Sequence, residues 1–407
     1  MTPACTTTSS MSRASQRHAM QGDFDLVIMG GGCAGLSLAR RLTALGRQAP
    51  RTLVLERRTA YADDRTWCFW DDGSMGLNHL VRHSWATMRV KTEDAAVLVE
   101  CGDAPYRMLG AAAFYAEALG AIEASDRVEI ALGSEISAEP RKTGEVWSLE
   151  TATGSVTAHR IVDTRPFRRP VRGGATLWQS FYGREIDCAT GVFDPACVDL
   201  MDFAPVEKGR IQFTYVLPVS TRRALIETTV FDADPWDRAD LRADLDEAVA
   251  ARVGGQSFMI LREEHGVLPM GTPRVSGRQD STFIHAGLDA GGARPSSGYA
   301  FRRIQAWAQA CASAIATGKP LVGHAEDPLL LRAMDALFLS VMRSRPDVAP
   351  GLFVALFGKA NTRRLIRFMS DGGNLIDYTS VALALPAWLF LGQIPQAFNQ
   401  AALGHRT

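Results

Sequence analysis

The most constraining feature of this 407-residue chain lies close to its N-terminus. An apolar run, Phe24–Met29, leads into Gly30-Gly31-Gly32-Cys33-Ala34-Gly35. Leu36, Leu38, Ala39 and Leu42 then mark the inner face of a helix reaching about Gly46. A second apolar run, 52–55, stops at Glu56. Strand, glycine turn, helix, strand and acid stand in register, which predicts a βαβ unit that binds a dinucleotide. In Gly30-x-Gly32-x-x-Gly35 the first glycine makes the turn tight and the second lets backbone approach a pyrophosphate. The third lets helix pack on strand. The helix N-terminus turns N–H groups and a positive dipole end toward phosphate. Glu56 is placed to accept hydrogen bonds from a ribose diol. Ala34 in the same turn, and Asp163 closing a strand at 160–163, join Gly30, Gly32, Gly35 and Glu56 as candidate cofactor contacts. FAD and NAD both suit this unit.

The partner class is narrowed by charge. Lys+Arg and Asp+Glu balance at 44 each, and 46% of the chain is hydrophobic. That excludes disorder for the bulk and argues against nucleic acid as the main partner. Seven scattered Cys have no CxxC spacing, and the eight His are dispersed. Neither a disulfide framework nor a metal centre is expected. Residues 1–22 are small, polar and aperiodic, which predicts a disordered tail; no apolar stretch makes it a secretory signal.

Further strands are expected at 128–136, 146–151 and 160–163, and a hairpin at 211–217 and 224–231. Another buried strand at 282–286 runs into Gly287, Gly291-Gly292 and Pro295-Ser296-Ser297-Gly298, followed by a helix over 299–317. A second junction of strand, glycines and helix suits the far end of a long dinucleotide. It selects FAD over NAD and adds Gly287, Gly292 and Gly298 to the cofactor contacts. Ser296 and Ser297 have the chemistry of helix N-caps. Beyond about Pro320 the chain turns to helices rich in Leu, Phe and Met.

Three segments carry two readings each. In 63–73, Trp67, Phe69 and Trp70 either line an apolar pocket, with Arg65 on the dinucleotide, or form an aromatic mini-core. Along 224–231, Leu225, Glu227, Thr229 and Phe231 share a face by alternation. Glu227 is then either a carboxyl kept protonated by apolar surroundings, usable as a general acid, or a solvated glutamate on an edge strand. The nearly uncharged stretch 378–394 is too short to span a bilayer and is broken by Pro386. It is either a buried helix or a segment at the membrane interface, with Trp388 at headgroup level and Arg363, Arg364 and Arg367 nearby.

Taken together, these segments resemble the flavin-containing bacterial lycopene cyclases. The resemblance is carried by DDRTWCFW (63–70), LWQSFYGREI (177–186), MDF (201–203) and FTYVLPVSTRRALIETTVF (213–231). EEHGVLPMG (263–271) and AGGARPSSGYAF (290–301) continue it, in family order, over roughly residues 24–305. It implies an α/β fold: a Rossmann-like FAD-binding domain of the p-hydroxybenzoate-hydroxylase kind, an antiparallel β-sheet substrate domain, and C-terminal helices. The FAD-binding part would cover 23–320, interleaved with the substrate sheet at roughly 65–110 and 165–275. Residues 321–407 would form a helical, membrane-associating region.

The resemblance also implies a reaction: acid-initiated, redox-neutral closure of the linear ends of lycopene, or a related acyclic carotenoid, into β rings. FAD would be needed reduced, with NADPH as reductant. Glu227 matches the family's acid/base carboxylate. Plant members have two adjacent acids there, whereas this chain has Thr228 in the second place. Ala62-Asp63-Asp64-Arg65 departs from a Gly-Gly-Asn-His run of several bacterial relatives. Candidate pocket walls are Trp67, Phe69, Trp70, Phe181 and Tyr182. The expected location is cytoplasmic, peripheral on the inner face of the cell membrane and against lipid. The competing reading is an NADPH-consuming monooxygenase or polyprenyl reductase of the same fold, which needs no acid at 227.

Overall fold

Asp23–Met29 and Thr52–Leu55 pair in parallel, and the helix Cys33–Thr43 joins them. Val128–Ala131 adds beyond Thr52–Leu55, and Gly154–Asp163 adds beyond Asp23–Met29, both in parallel. The far end of Gly154–Asp163 also pairs in parallel with Phe283–His285. Its near end carries the antiparallel strands Val146–Thr151 and Arg141–Thr143. The first strands are apolar throughout because both faces are covered. Leu26, Ile28 and Val54 pack under the helices Cys33–Thr43, Ala111–Glu123 and Phe301–Ala316, while Val27, Met29 and Leu53 meet Trp147 and Leu149. Each Leu buried in this way contributes roughly 1.5–3 kcal/mol.

This computed structural model describes residues 22–152, 154–166, 176–203, 209–271 and 280–393. All but the last residue of the expected N-terminal tail, parts of the 165–275 stretch and everything after 393 lie outside the described residues.

A second seven-stranded sheet has the order Phe258–Met270, Leu177–Cys188, Arg223–Asp232, Ile211–Pro218, Cys197–Asp202, Thr87–Lys91, Ala96–Glu100. It is antiparallel except where Cys197–Asp202 runs parallel to Thr87–Lys91, since those two strands come from distant parts of the chain. A small sheet of Thr66–Trp70, Tyr106–Gly110 and His83–Trp85 stands between the two large ones in packing. Trp67 and Phe69 on its one face join the core of the first sheet. Cys68 and Trp70 on the other join that of the second. The helices Leu329–Ser344, Ala349–Lys359, Thr362–Met369 and Leu375–Ala384 share this second core, through residues such as Leu339, Phe353, Ile366 and Val381.

Some local expectations change. The strand expected at 128–136 ends at Ala131, because the chain turns at Gly133 (φ +68°), and Ile136 makes only an isolated bridge to Thr151. The helix after the late glycines starts at Phe301 with Ala300 before it and no side-chain cap. Ser296 instead gives its hydroxyl to Asp335 (2.7 Å), so the two serines do not cap. The 378–394 stretch divides at Leu385-Pro386 into the helices Leu375–Ala384 and Ala387–Leu391. Tyr378, Val381 and Ala384 are buried, as the buried-helix reading expects for one face, while Leu383, Trp388 and Leu391 are exposed on the other. Arg363 pairs with Asp103 and Arg367 with Asp377, which spends those charges within the protein.

Candidate active site

The first glycine turn is shaped for a ligand. Gly30 sits at φ +97°, a backbone region that disfavours a side chain. A Cβ on Gly35 would fall 1.9 Å from the Gly30 carbonyl oxygen, so helix and strand touch there. Gly32 differs: a Cβ would meet nothing nearer than Arg58 at 4.0 Å. Packing within the protein does not demand glycine at 32. The bare backbone leaves room for a close-lying group, as a pyrophosphate requires. No acid stands in the first turn of the helix and no side chain caps it.

Glu56 closes the second strand and is buried. Its carboxylate accepts from the Gly31 N–H (2.7 Å) and from Arg58 N and Nε (2.8 and 3.0 Å). Burial pushes its pKa up, but the bonds from Arg58 and Gly31 outweigh it and hold the carboxyl below its ordinary range. An ionised carboxylate keeps lone pairs for a ribose diol. The late turn comes to the same place. A Cβ on Gly287 (φ +95°) would lie 3.5 Å from Ala34 Cβ, and Ala286 N–H bonds the Asp163 carbonyl. Asp163 itself is held by Arg165 through two bonds of 2.9 and 2.8 Å. His324, which the sequence reading missed, accepts the Gly287 N–H at 3.0 Å through Nε2. Burial, with Arg303 nearby, keeps this imidazole neutral by lowering its pKa to about 4. Gly292 packs against the Gly287 carbonyl and His324. Gly298 (φ +70°) lies further off, against Gln179 of the second sheet. Gln179 Oε1 and Ser297 Oγ are buried there without a partner among the described residues.

Glu227 occupies the interior of the second sheet, third in strand order, which excludes the edge-strand reading. Its carboxyl is buried, and the hydroxyl of Thr229 donates to it at 3.1 Å. Burial raises its pKa to about 8, with the charge of Glu264 as the next cause. Glu264 was absent from the candidates drawn from sequence. It lies in the quoted 263–271 segment, and the alternation Arg262, Glu264, Gly266 marks its face. Both carboxyls stand opposite Gly183 in the register, one on each neighbouring strand. Glu264 is buried and accepts from Arg262 and from Thr66 Oγ1 (2.8 Å). Arg262 also bonds Glu185 (2.7 Å), which Arg82 binds as well. Glu185 is buried, yet these guanidiniums hold it down to about 2. Arg65 stands near enough for its charge to favour ionised Glu227 and Glu264, which places it with the acids.

Along the same sheet face runs an apolar cavity of about 270 Å³. Tyr215, directly across from Glu227, and Phe231 line it from the sheet, and Trp70 and Tyr299 from beside it. Phe338, Phe353 and Leu391 close it from the C-terminal helices. The Tyr106 and Tyr299 hydroxyls meet at 3.0 Å. Of the expected walls, only Trp70 lines this space. Phe181 is on the Glu227 side, its ring over Gly266. Three candidates need correction. Tyr182 points to the opposite face, because successive residues of a strand alternate; it is buried among Ile186 and Val216 and bonds Glu263 at 2.5 Å. Trp67 and Phe69 stack on Phe301 at 5.2 and 5.1 Å, in the core of the first sheet. For these two the mini-core reading holds.

A parallel sheet with two glycine turns at one end, joined to an antiparallel sheet, defines the class. The fold is that of the flavoprotein monooxygenases and related reductases. A p-nitrophenol 4-monooxygenase from Pseudomonas putida matches with TM-score 0.58 at 14% identity, over 89% of this chain and 99% of its own. A geranylgeranyl bacteriochlorophyll reductase-like protein from Thermoplasma acidophilum matches with TM-score 0.56 at 11% identity, over 94% and 98%. The family is narrower than the fold. Residues 25–390 match the family model described as lycopene cyclase protein, and the chain belongs to that family. It is 27% identical over 297 residues to a lycopene beta-cyclase of Pantoea ananas, covering 69% of this chain and 72% of the relative. A lycopene beta-cyclase of a Paracoccus species is 29% identical over 284 residues, covering 65% and 68%.

Proposed function

We propose that this protein is an FAD-dependent lycopene β-cyclase that closes linear carotenoid ends into β rings without net oxidation or reduction. The observation that carries the reading is the place of Glu227: a buried carboxyl directly across from Tyr215, which lines an aromatic, apolar cavity. Ring closure begins when an acid protonates a terminal double bond. Glu227 donates that proton. Tyr215, Trp70 and Tyr299 offer ring faces to the carbocation, and the apolar walls exclude water that would trap it. An internal double bond attacks the cation, and the ring then loses a proton to the carboxylate left at Glu227, which restores the acid. The glycine turns at 30–35 and 287–292, with Glu56, Ala34 and Asp163, would hold FAD. Bound FAD, kept reduced by NADPH, would supply negative charge near the developing cation.

The substrate is expected to be lycopene or a related acyclic carotenoid, which reaches the cavity from lipid. Leu383, Trp388 and Leu391 are exposed on the helices that close the cavity, and they suit the interface of a bilayer. No helix among the described residues is long and apolar enough to cross a membrane. Peripheral attachment at the cytoplasmic face follows on this reading. The domain division at 23–320 and 321–407 goes with it, the second part serving as the membrane-facing cover of the site. Incubation of protein, reduced FAD and lycopene in liposomes tests the function. A ringed product of unchanged mass is expected; a gain of oxygen or hydrogen would instead support the monooxygenase or reductase reading.

A further inference from the structure

The acid pair is asymmetric in a way the single acid of the 225–229 motif does not reveal. Glu227 and Glu264 flank Gly183, each opposite it on a neighbouring strand. A side chain at 183 would fill that space: its Cβ would lie 3.2 Å from Glu227 Cβ. Donors are divided unequally. Glu264 takes the Arg262 guanidinium and the Thr66 hydroxyl, both of which favour its charged form. Glu227 takes the neutral hydroxyl of Thr229. Two buried carboxyls in one another's field do not both ionise readily, so the pair keeps one proton. Burial raises both, and the member with the guanidinium donor carries the charge.

We propose that Glu264 is the positioning residue of this site, a fixed anion that keeps the proton on Glu227. This deepens the cyclase reading and rests on it for its kinetic consequence. Glu264 exchanges no proton with the substrate. Glu227 gives its proton to the double bond and recovers one from the ring, while Glu264 stays charged throughout.

Among the described residues, other charged and titratable groups surround the pair. Glu185 is neutralised by Arg82 and Arg262. Asp63 approaches Arg262 at 3.5 Å. The positive charge of Arg65 opposes the effect of Glu264, and that of Arg262 is shared between Glu264 and Glu185. Tyr215, Tyr299 and Cys68 are buried with raised pKa values, so they stay neutral near pH 8.

Two measurements test the proposal. The first is the pH profile of ring formation from lycopene in phosphatidylcholine liposomes, with FAD-loaded wild type, Glu264→Gln and Glu264→Asp. Wild-type activity should fall on the alkaline side as Glu227 ionises. Glu264→Gln removes the repelling charge, so this limb should move to lower pH by about one unit or more, with FAD content unchanged. Glu264→Asp keeps the charge and should return the limb toward that of wild type. A limb unmoved in Glu264→Gln overturns the proposal. The second needs neither turnover nor a Glu264 variant. The infrared carbonyl band of a buried protonated carboxyl should be present in wild type at pH 7 and absent in Glu227→Gln. A wild-type band that Glu227→Gln leaves undiminished takes the proton off Glu227 and overturns the proposal. If no preparation forms rings while the band behaves as expected, the cyclase reading fails and the placement of the proton stands.

Discussion

Glu227→Gln should stabilise the protein at alkaline pH while abolishing its chemistry. The folded pKa of about 8 lies above the ordinary 4.5, so the folded chain binds this proton more tightly than the unfolded one. Below pH 4.5 both forms are protonated and the full contribution to stability is present. From there to about pH 8 the unfolded chain ionises while the folded one resists, so stability is lost as pH rises. At ~1.36 kcal/mol per unit the whole window is worth up to about 5 kcal/mol, a figure that belongs to the coupled pair. Between pH 5.5 and 8.5 the wild type should therefore lose on the order of 3 kcal/mol that Glu227→Gln does not lose. Urea unfolding of both proteins at the two pH values measures the difference, since other titrating groups largely cancel. The variant should keep its FAD. Equal pH dependence in the two proteins would refute a buried, protonated Glu227.

Other outcomes follow from neighbouring contacts. Glu185 is held near 2, so its contribution is present above pH 4.5 and is lost as pH falls toward 2; Glu185→Gln should flatten acid unfolding by about 3 kcal/mol, read by circular dichroism against pH. Gly35→Ala would press a methyl into the Gly30 carbonyl and should leave protein purified without flavin, as absorbance at 450 nm will tell. Arg294 is fully buried between Asp335 and the Phe368 ring, so Arg294→Met should cost roughly 3–5 kcal/mol in urea, with part regained on adding Asp335→Asn. Leu383→Ser and Trp388→Ser, at exposed sites, should each weaken sedimentation with liposomes on the order of tenfold without lowering thermal stability.

The dinucleotide fold was legible because local rules suffice for it. Strand 52–55, the glycine turn and the helix from Cys33 match their expected places, since spacing and apolar period are properties of neighbouring residues. The hairpin that carries Glu227 was legible for the same reason. What escaped depends on partners far along the chain. Glu264 becomes part of the site only because its strand pairs with Leu177–Cys188 opposite Glu227. Trp67 and Trp70 read alike in sequence, but a five-residue strand sends them to different cores. Tyr182 was misplaced by one step of the alternation, a register that no single segment discloses. His324 had no local signature at all, since its role comes from meeting the Gly287 turn.

The central claim is that Glu227 delivers a solvent-exchangeable proton to a carbon–carbon double bond. A single turnover in deuterated buffer tests it, with FAD-loaded protein equilibrated there before lycopene is added in liposomes. The account predicts a ringed product that carries one deuterium for the ring closed, and no ring from Glu227→Gln. Rings formed without deuterium, or formed equally well by Glu227→Gln, would contradict it.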